Sequence, residues 1–438
     1  FAESSAIGQQ LTKAGFEKRE FQDAADLYVI NTCSVTDHAD RKCKKVVREA
    51  LKQNPNAYVV VIGCYAQLKP QEIAQIPGVD MVLGAAEKFQ LIDHLHTLVK
   101  EPKALVHNAP IKEVNTFVPG YSVGDRTRIF LKVQDGCNYG CAFCTIPLAR
   151  GKSRSNTIES VLASAREIAA TDVKEIVLTG VNIGDFGIVD GKRIERFADL
   201  VMALDEVEGI DRFRISSIEP NLLTNEVIEF VSHSKRFVPH FHIPLQSGSN
   251  TILRRMGRRY LRELYEDRVS KIKTLMPNAC IGVDVIVGFP GETDADHAAT
   301  MDLIRAVGYG AAFSFRYSAR PGTPAAENDS ANSHRKPCPR SHNSPCNPTA
   351  MGLPLPDPAM LTGDAPMTTR AYGAHAADKP LEAIDIQRRA PGAHRIAAPA
   401  GPGASAAGRR AAGPGARRSG ARGRAGAALP HLLHQPGG

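Results

Sequence analysis

Between residues 126 and 326 one pattern recurs six times: a short apolar run, then a cluster of small and polar residues. The apolar runs lie near 129–134, 175–179, 212–216, 238–244, 281–288 and 312–317. Amphipathic stretches fill the gaps at 157–170, 196–206, 224–232, 261–275 and 294–307. Such alternation predicts parallel strands joined by helices. Six strands with five intervening helices predict an open (βα)6 arrangement, three-quarters of a (βα)8 barrel. The polar clusters are Asp135-Gly136-Cys137, Thr179-Gly180-Val181-Asn182, Ser216-Ser217-Ile218-Glu219-Pro220, Gln246-Ser247-Gly248, Gly288-Phe289-Pro290-Gly291-Glu292 and Tyr317-Ser318-Ala319-Arg320-Pro321-Gly322. In parallel barrels the loops at the carboxyl ends of the strands build the active site. Six unusual loops on one edge point to an enzyme.

Residues 1–100 alternate in a similar way. Helical periodicity covers 4–14, 39–53 and 87–100, and apolar runs cover 27–31, 58–63 and 81–84. The expectation is a separate α/β sandwich domain with a parallel sheet. Cys33 and Cys64 each end a strand, at the edge where such sheets bind ligands. Residues 101–125 read as a linker. The chain starts at Phe1, not Met, and within an amphipathic stretch, which implies that the beginning of this domain is missing.

The net charge of +8 would suggest a nucleic-acid partner if it lay on a folded surface. It does not. From Glu327 onward there are 14 Lys and Arg against 7 Asp and Glu; residues 1–326 hold 40 against 39. The segment 327–438 also holds 15 of the 29 prolines and a single aromatic, Tyr372. Such a composition buries too little apolar surface to offset the entropy of ordering. It reads as a disordered tail, consistent with translation out of frame; an RNA-binding arm at Arg409–Arg424 is the other reading.

No apolar run of about 18 residues is present, so no membrane helix is expected. Nine cysteines, three of them within eight residues, do not resemble a disulfide framework and point to the cytoplasm. In Cys137-Asn-Tyr-Gly-Cys141-Ala-Phe-Cys144 one loop after a strand carries three thiols. A structural zinc ion would need a fourth ligand, and no Cys or His lies nearby. Three thiolates suit an iron–sulfur cube with one open iron, able to chelate the amino and carboxylate groups of a cofactor. Cys43 reads as a plain helical thiol, Cys280 as a core residue, and Cys338 and Cys346 carry no role. His240 and His242 read as packing residues. The glycines form no G-x-x-x-x-G-K-[ST] loop, so nucleotide hydrolysis is not expected.

The triplet, followed by Pro147-Leu-Ala-Arg150-Gly151-Lys-Ser-Arg154-Ser155, resembles the radical S-adenosylmethionine methylthiotransferases. Asn31-Thr32-Cys33-Ser-Val35-Thr36 and Gly63-Cys64-Tyr65-Ala66-Gln67 are similar to that family's amino-terminal domain. The likeness runs from residue 1 to about 326 and is strongest to the transfer RNA enzymes acting on N6-threonylcarbamoyladenosine. It implies two [4Fe-4S] clusters and S-adenosylmethionine. Cys137, Cys141 and Cys144 would hold the cluster that reduces the cofactor to a 5′-deoxyadenosyl radical. Cys33 and Cys64 would hold an auxiliary, sulfur-carrying cluster, incomplete because the family uses a third cysteine upstream. Phe143 would lie on the cofactor's adenine and Gly180 and Asn182 at its methionine end. Ser216, Glu219 and Gln246 would line its ribose and amino-acid portion. Arg150 and Arg154 would meet phosphate or cofactor if they are not helix-surface charges. One cofactor molecule would methylate the sulfur, and a second would yield the radical that activates carbon 2 of the adenine. Transfer RNA and a flavodoxin-like electron donor are the implied partners. Family members end in a small RNA-binding β-barrel, which 327–438 does not resemble. The remaining alternatives are an isopentenyladenosine substrate, an aspartate of a ribosomal protein, or an inactive truncated product with one cluster.

Overall fold

The computed structural model describes residues 2–33, 37–95, 98–122 and 127–330, and the strand segments 367–373, 382–388 and 426–428. The first sheet is built on Leu27–Thr32, Tyr58–Gly63, Met81–Leu83 and Leu105–His107, parallel and in that spatial order. Val59, Val60, Val61 and Ile62 are buried on both faces, as a central parallel strand requires. Side chains alternate between the faces. Val29, Val60 and Ile62 pack on Ile7 and Leu11 of the helix Ala2–Lys13. Ile30, Val59 and Val61 pack on Val46, Val47 and Ala50 of the helix Asp37–Gln53.

Three expectations change here. The helix expected over 87–100 is a short 3-10 turn, Glu87–Gln90, and then Leu91–His94. The expected linker supplies Leu105–His107, which extends the first sheet beside Met81–Leu83. The run is too short to show a period, so only the exposed sheet edge reveals its place. The tail expectation lies mostly outside the described residues. Within it, however, Met367–Gly373 and Glu382–Arg388 pair antiparallel in a unit of their own, 342–422. Ile384 and Ile386 carry the period of two that a strand needs, a signal masked by the surrounding composition. Gly426–Ala428 lies parallel between Glu17–Arg19 and Leu27–Thr32 in the first sheet.

The second region has six parallel strands in chain order: Arg128–Lys132, Glu175–Thr179, Arg212–Ile215, His240–His242, Cys280–Val287 and Ala311–Arg316. Bridges Phe213↔Phe237 and Ser217↔His242 join the two halves of this curved sheet. Short polar side chains start the helices as the sequence suggests. Thr157, Thr224 and Ser249 accept from the backbone N–H three residues on, and Thr293 with Asp296 forms a capping box. Cys280 is exposed at the start of its strand, not in the core; the strand's apolar run begins one residue later, at buried Ile281. Phe213 is fully buried and stacks on Phe237 at 5.3 Å between ring centroids. Phe213→Ala is expected to cost about 3–5 kcal/mol, read as a lower denaturant midpoint at unchanged iron content.

His240 shows a pH effect. Its Nδ1 is buried without a hydrogen-bond partner among the described residues. Burial, with help from Arg214 and His242, pushes the ring down to about 4. The folded chain then binds fewer protons than the unfolded one, whose histidine titrates near ~6.5. Stability is therefore expected to fall as pH drops from about 6.5 toward 4, and His240→Gln to flatten part of that fall in thermal melts.

Candidate active site

The strand Arg128–Lys132 leads into Gln134, which organises the triplet loop from beneath. Gln134 is fully buried. Its Nε2 donates to Asp135 O at 2.9 Å, Gly136 O at 2.7 Å and Ser153 Oγ at 3.0 Å. Its Oε1 accepts from the N–H groups of Val181 at 2.9 Å and Asn182 at 2.8 Å. One amide thus ties the first strand-end loop to the second. The loop then passes Gly136, in the left-handed region at φ 67°, and Cys137 N–H donates to Gly151 O at 3.0 Å.

Donors surround the three sulfurs. Tyr139 N–H lies 3.4 Å from Cys137 Sγ, and Ile146 N–H 3.5 Å from Cys144 Sγ. Arg258 Nη1 donates to Cys141 Sγ at 3.3 Å, and Asn182 Nδ2 approaches Cys137 Sγ at 3.9 Å. Burial, with the neighbouring cysteines adding, pushes the Cys137 thiol up to about 11 and the Cys144 thiol to about 12. A positively charged group is needed to hold these sulfurs as thiolates. No set of three His, Cys, Asp or Glu among the described residues surrounds a single metal ion. The donors aimed at sulfur, and the single loop carrying all three thiols, fit an iron–sulfur cluster.

The other expected site residues occupy loops at or beyond the strand ends. Glu219 forms an ion pair with Arg258, linking the third strand-end loop to Cys141. Gln246, held at φ 64°, lines a cavity of about 260 Å³ together with Phe143, Cys144, Asp284, Tyr317 and Arg320. Phe143 meets Phe289 edge-on at 6.3 Å. Asn182 is buried, and its Oδ1 has no partner among the described protein atoms. Gly180 sits over Gln134, where an added Cβ would come within 3.0 Å of its Oε1. Ser216 follows the strand Arg212–Ile215, its N–H bonded to Leu178 O at 3.3 Å. Thr32 pairs with Gly63, so Cys33 and Cys64 leave the first sheet side by side.

Arg150 and Arg154 are not helix-surface charges. Arg150 Nη1 lies 3.0 Å from both Glu3 Oε1 and Asp135 Oδ1, and Arg154 Nη2 lies 3.1 Å from Asp135 Oδ2. Gln134 and Arg258 escape sequence reasoning. Gln134 ends an apolar run and reads as its polar terminus. Arg258 follows a short helix, Asn250–Arg255, and not a strand, so the strand-end rule passes over it.

The radical SAM superfamily model matches residues 131–304, and the model of the uncharacterized protein family UPF0004 matches residues 1–84. The threonylcarbamoyladenosine tRNA methylthiotransferase MtaB of Bacillus subtilis is 44% identical over 329 residues, 74% of this chain and 72% of that protein. The chain belongs to the radical S-adenosylmethionine methylthiotransferase family. Membership implies a [4Fe-4S] cluster and S-adenosylmethionine. The MtaB of Thermotoga maritima is 39% identical over 74% of this chain and 73% of its own. A tRNA-2-methylthio-N(6)-dimethylallyladenosine synthase of Clostridium botulinum is 33% identical over 74% of this chain and 73% of its own. Among solved structures, the methyltransferase TsrM of Kitasatospora setae covers 78% of this chain and 73% of its own, with a TM-score of 0.53 and 15% identity, a likeness of fold. No helix among the described residues is long and apolar enough to cross a membrane.

Proposed function

We propose that this methylthiotransferase acts on transfer RNA and adds a methylthio group to carbon 2 of N6-threonylcarbamoyladenosine beside the anticodon. The 44% identity to an MtaB enzyme over 329 residues carries this reading. Cys137, Cys141 and Cys144 hold one cluster, and Cys33 and Cys64 contribute to a second. When bound, the first supplies the electron that cleaves S-adenosylmethionine, and the second the sulfur. The chain's own residues bind and orient. Arg258, Asn182 and the N–H groups of Tyr139 and Ile146 stabilise sulfur charge. Phe143 and Gln246, which line the cavity beside Cys144, would hold the cofactor's adenosyl part, and Asn182, whose Oδ1 has no partner among the described residues, would meet its methionine end. The auxiliary site falls in the part of the chain matched over residues 1–84 and the radical site in the part matched over 131–304, which supports a division of labour between two domains.

Nucleoside mass spectrometry of a deletion strain, with and without this gene, tests the reading. Loss of methylthio-threonylcarbamoyladenosine, restored by the gene, is the expected result. Restoration of the methylthio dimethylallyl nucleoside instead would move the substrate to that branch. An unchanged nucleoside profile would reject transfer RNA as the substrate.

A further inference from the structure

Six charged side chains meet where the first sheet's helices touch the barrel, and their charges do not cancel. Lys88 Nζ lies 2.9 Å from Glu3 Oε2. Lys132 Nζ lies 3.1 Å from Glu3 Oε1 and 2.8 Å from Asp135 Oδ2. Arg150 bridges the same two carboxylates, and Arg154 adds to Asp135. Four cations therefore share two carboxylates. The side chains of Lys88, Lys132, Arg154, Glu3 and Asp135 are all less than a tenth exposed. The rings of Phe89 and Phe117 face the two lysines and take up part of the charge, without changing its sum. Buried cations in excess of their partners are strongly unfavourable unless an anion completes the set. Burial pushes the Lys88 ammonium below its ordinary value despite Glu3, the mark of incomplete compensation.

The location of the surplus says where the anion belongs. Ser4, next to Glu3, accepts from Asn31 Nδ2 at 3.0 Å, two residues before Cys33. The helix Cys64–Leu68 packs on the helix Ile146–Arg150. Asp135 stands two residues before Cys137. The surplus thus sits on segments that adjoin both cysteine sites, with Arg150 on the helix that packs against Cys64–Leu68.

We propose that this cluster is a counter-charge site, whose two surplus cations hold the negative charge of an iron–sulfur group seated on Cys33 and Cys64. The proposal rests on the reading of those cysteines as ligands. It assigns Lys88 and Lys132 as positioning residues that act through charge, without touching iron.

The test compares full-length wild type, Lys88→Met and Lys88→Arg, with and without iron and sulfide loaded anaerobically. In the metal-free protein, Lys88→Met removes a surplus cation, so its thermal midpoint holds or rises. In the loaded protein, the iron that depends on Cys33 and Cys64 passes to a chelator on the order of tenfold faster. Lys88→Arg keeps the wild-type rate. Lys132→Met acts in the same direction, so the result does not hang on one variant. A metal-free midpoint that falls as far as the loaded one marks a purely structural network and overturns the proposal, as does unchanged release. Iron uptake equal in wild type and the Cys33→Ala/Cys64→Ala double variant overturns the ligand reading itself, and the proposal with it.

Discussion

Cys141→Ala is expected to bring 5′-deoxyadenosine formation from S-adenosylmethionine down to background. Of the three loop thiols, Cys141 is the most buried, and its sulfur is the one that Arg258 reaches. Removing it leaves two thiols on a loop shaped for three and an Arg258 guanidinium with Glu219 as its remaining charged contact. Two ligands do not hold a cube with one open iron, so cluster and cofactor binding are lost together. Asn182→Ala provides the scale. It removes one outer donor from Cys137 and leaves all three thiols, and such losses cost about 10–100-fold in activity. Chromatography of anaerobic reactions, paired with an iron count, reads both variants. Wild-type product from Cys141→Ala would overturn the assignment of the triplet.

The sequence makes the strand-end loops legible because each is punctuated locally. Thr157, Thr224 and Thr293 announce helix starts, and the apolar runs before Gly180 and Gly288 announce strands. The triplet is legible for the same reason, since its three thiols share one loop. What cannot be read locally is whatever depends on two distant segments meeting. Glu3 lies within an amphipathic helix like many others, and nothing near it in sequence says that Lys88, Lys132 and Arg150 converge on its carboxylate. Arg150 and Arg154 look like exposed basic residues until Asp135 is placed between them. Gln134 looks like the polar end of a strand, but it is the clamp between two loops. The Leu105–His107 strand is too short to show a period and becomes one only because Met81–Leu83 offers an open edge. Long-range polar pairing, unlike hydrophobic periodicity, leaves no spacing rule in the chain.

Gly136→Ala is expected to empty the triplet of iron while the rest of the chain stays folded, whereas Gly140→Ala, four residues on, is tolerated. Each glycine immediately precedes a cysteine of the triplet, Gly136 before Cys137 and Gly140 before Cys141, so composition alone would treat them alike. Gly136 sits at φ 67°, where an L side chain costs about 1–2 kcal/mol. Its added Cβ would also stand 2.0 Å from Lys152 O and 2.8 Å from Gly151 O. These are backbone atoms, so no rotamer change relieves the clash. The loop must move away from Gly151, and the bond from Cys137 N–H to Gly151 O is the first to break. Cys137 then leaves the reach of Asn182, and the three sulfurs no longer share one geometry. At Gly140 an added Cβ meets nothing within 4 Å and the backbone has no left-handed strain. Iron per chain after anaerobic reconstitution, with far-ultraviolet circular dichroism to confirm folding, separates the two variants. Equal iron in Gly136→Ala and Gly140→Ala would mean that the cluster does not depend on the turn at Gly136. The loop's hold on Cys137 would then have to come from Gln134 alone.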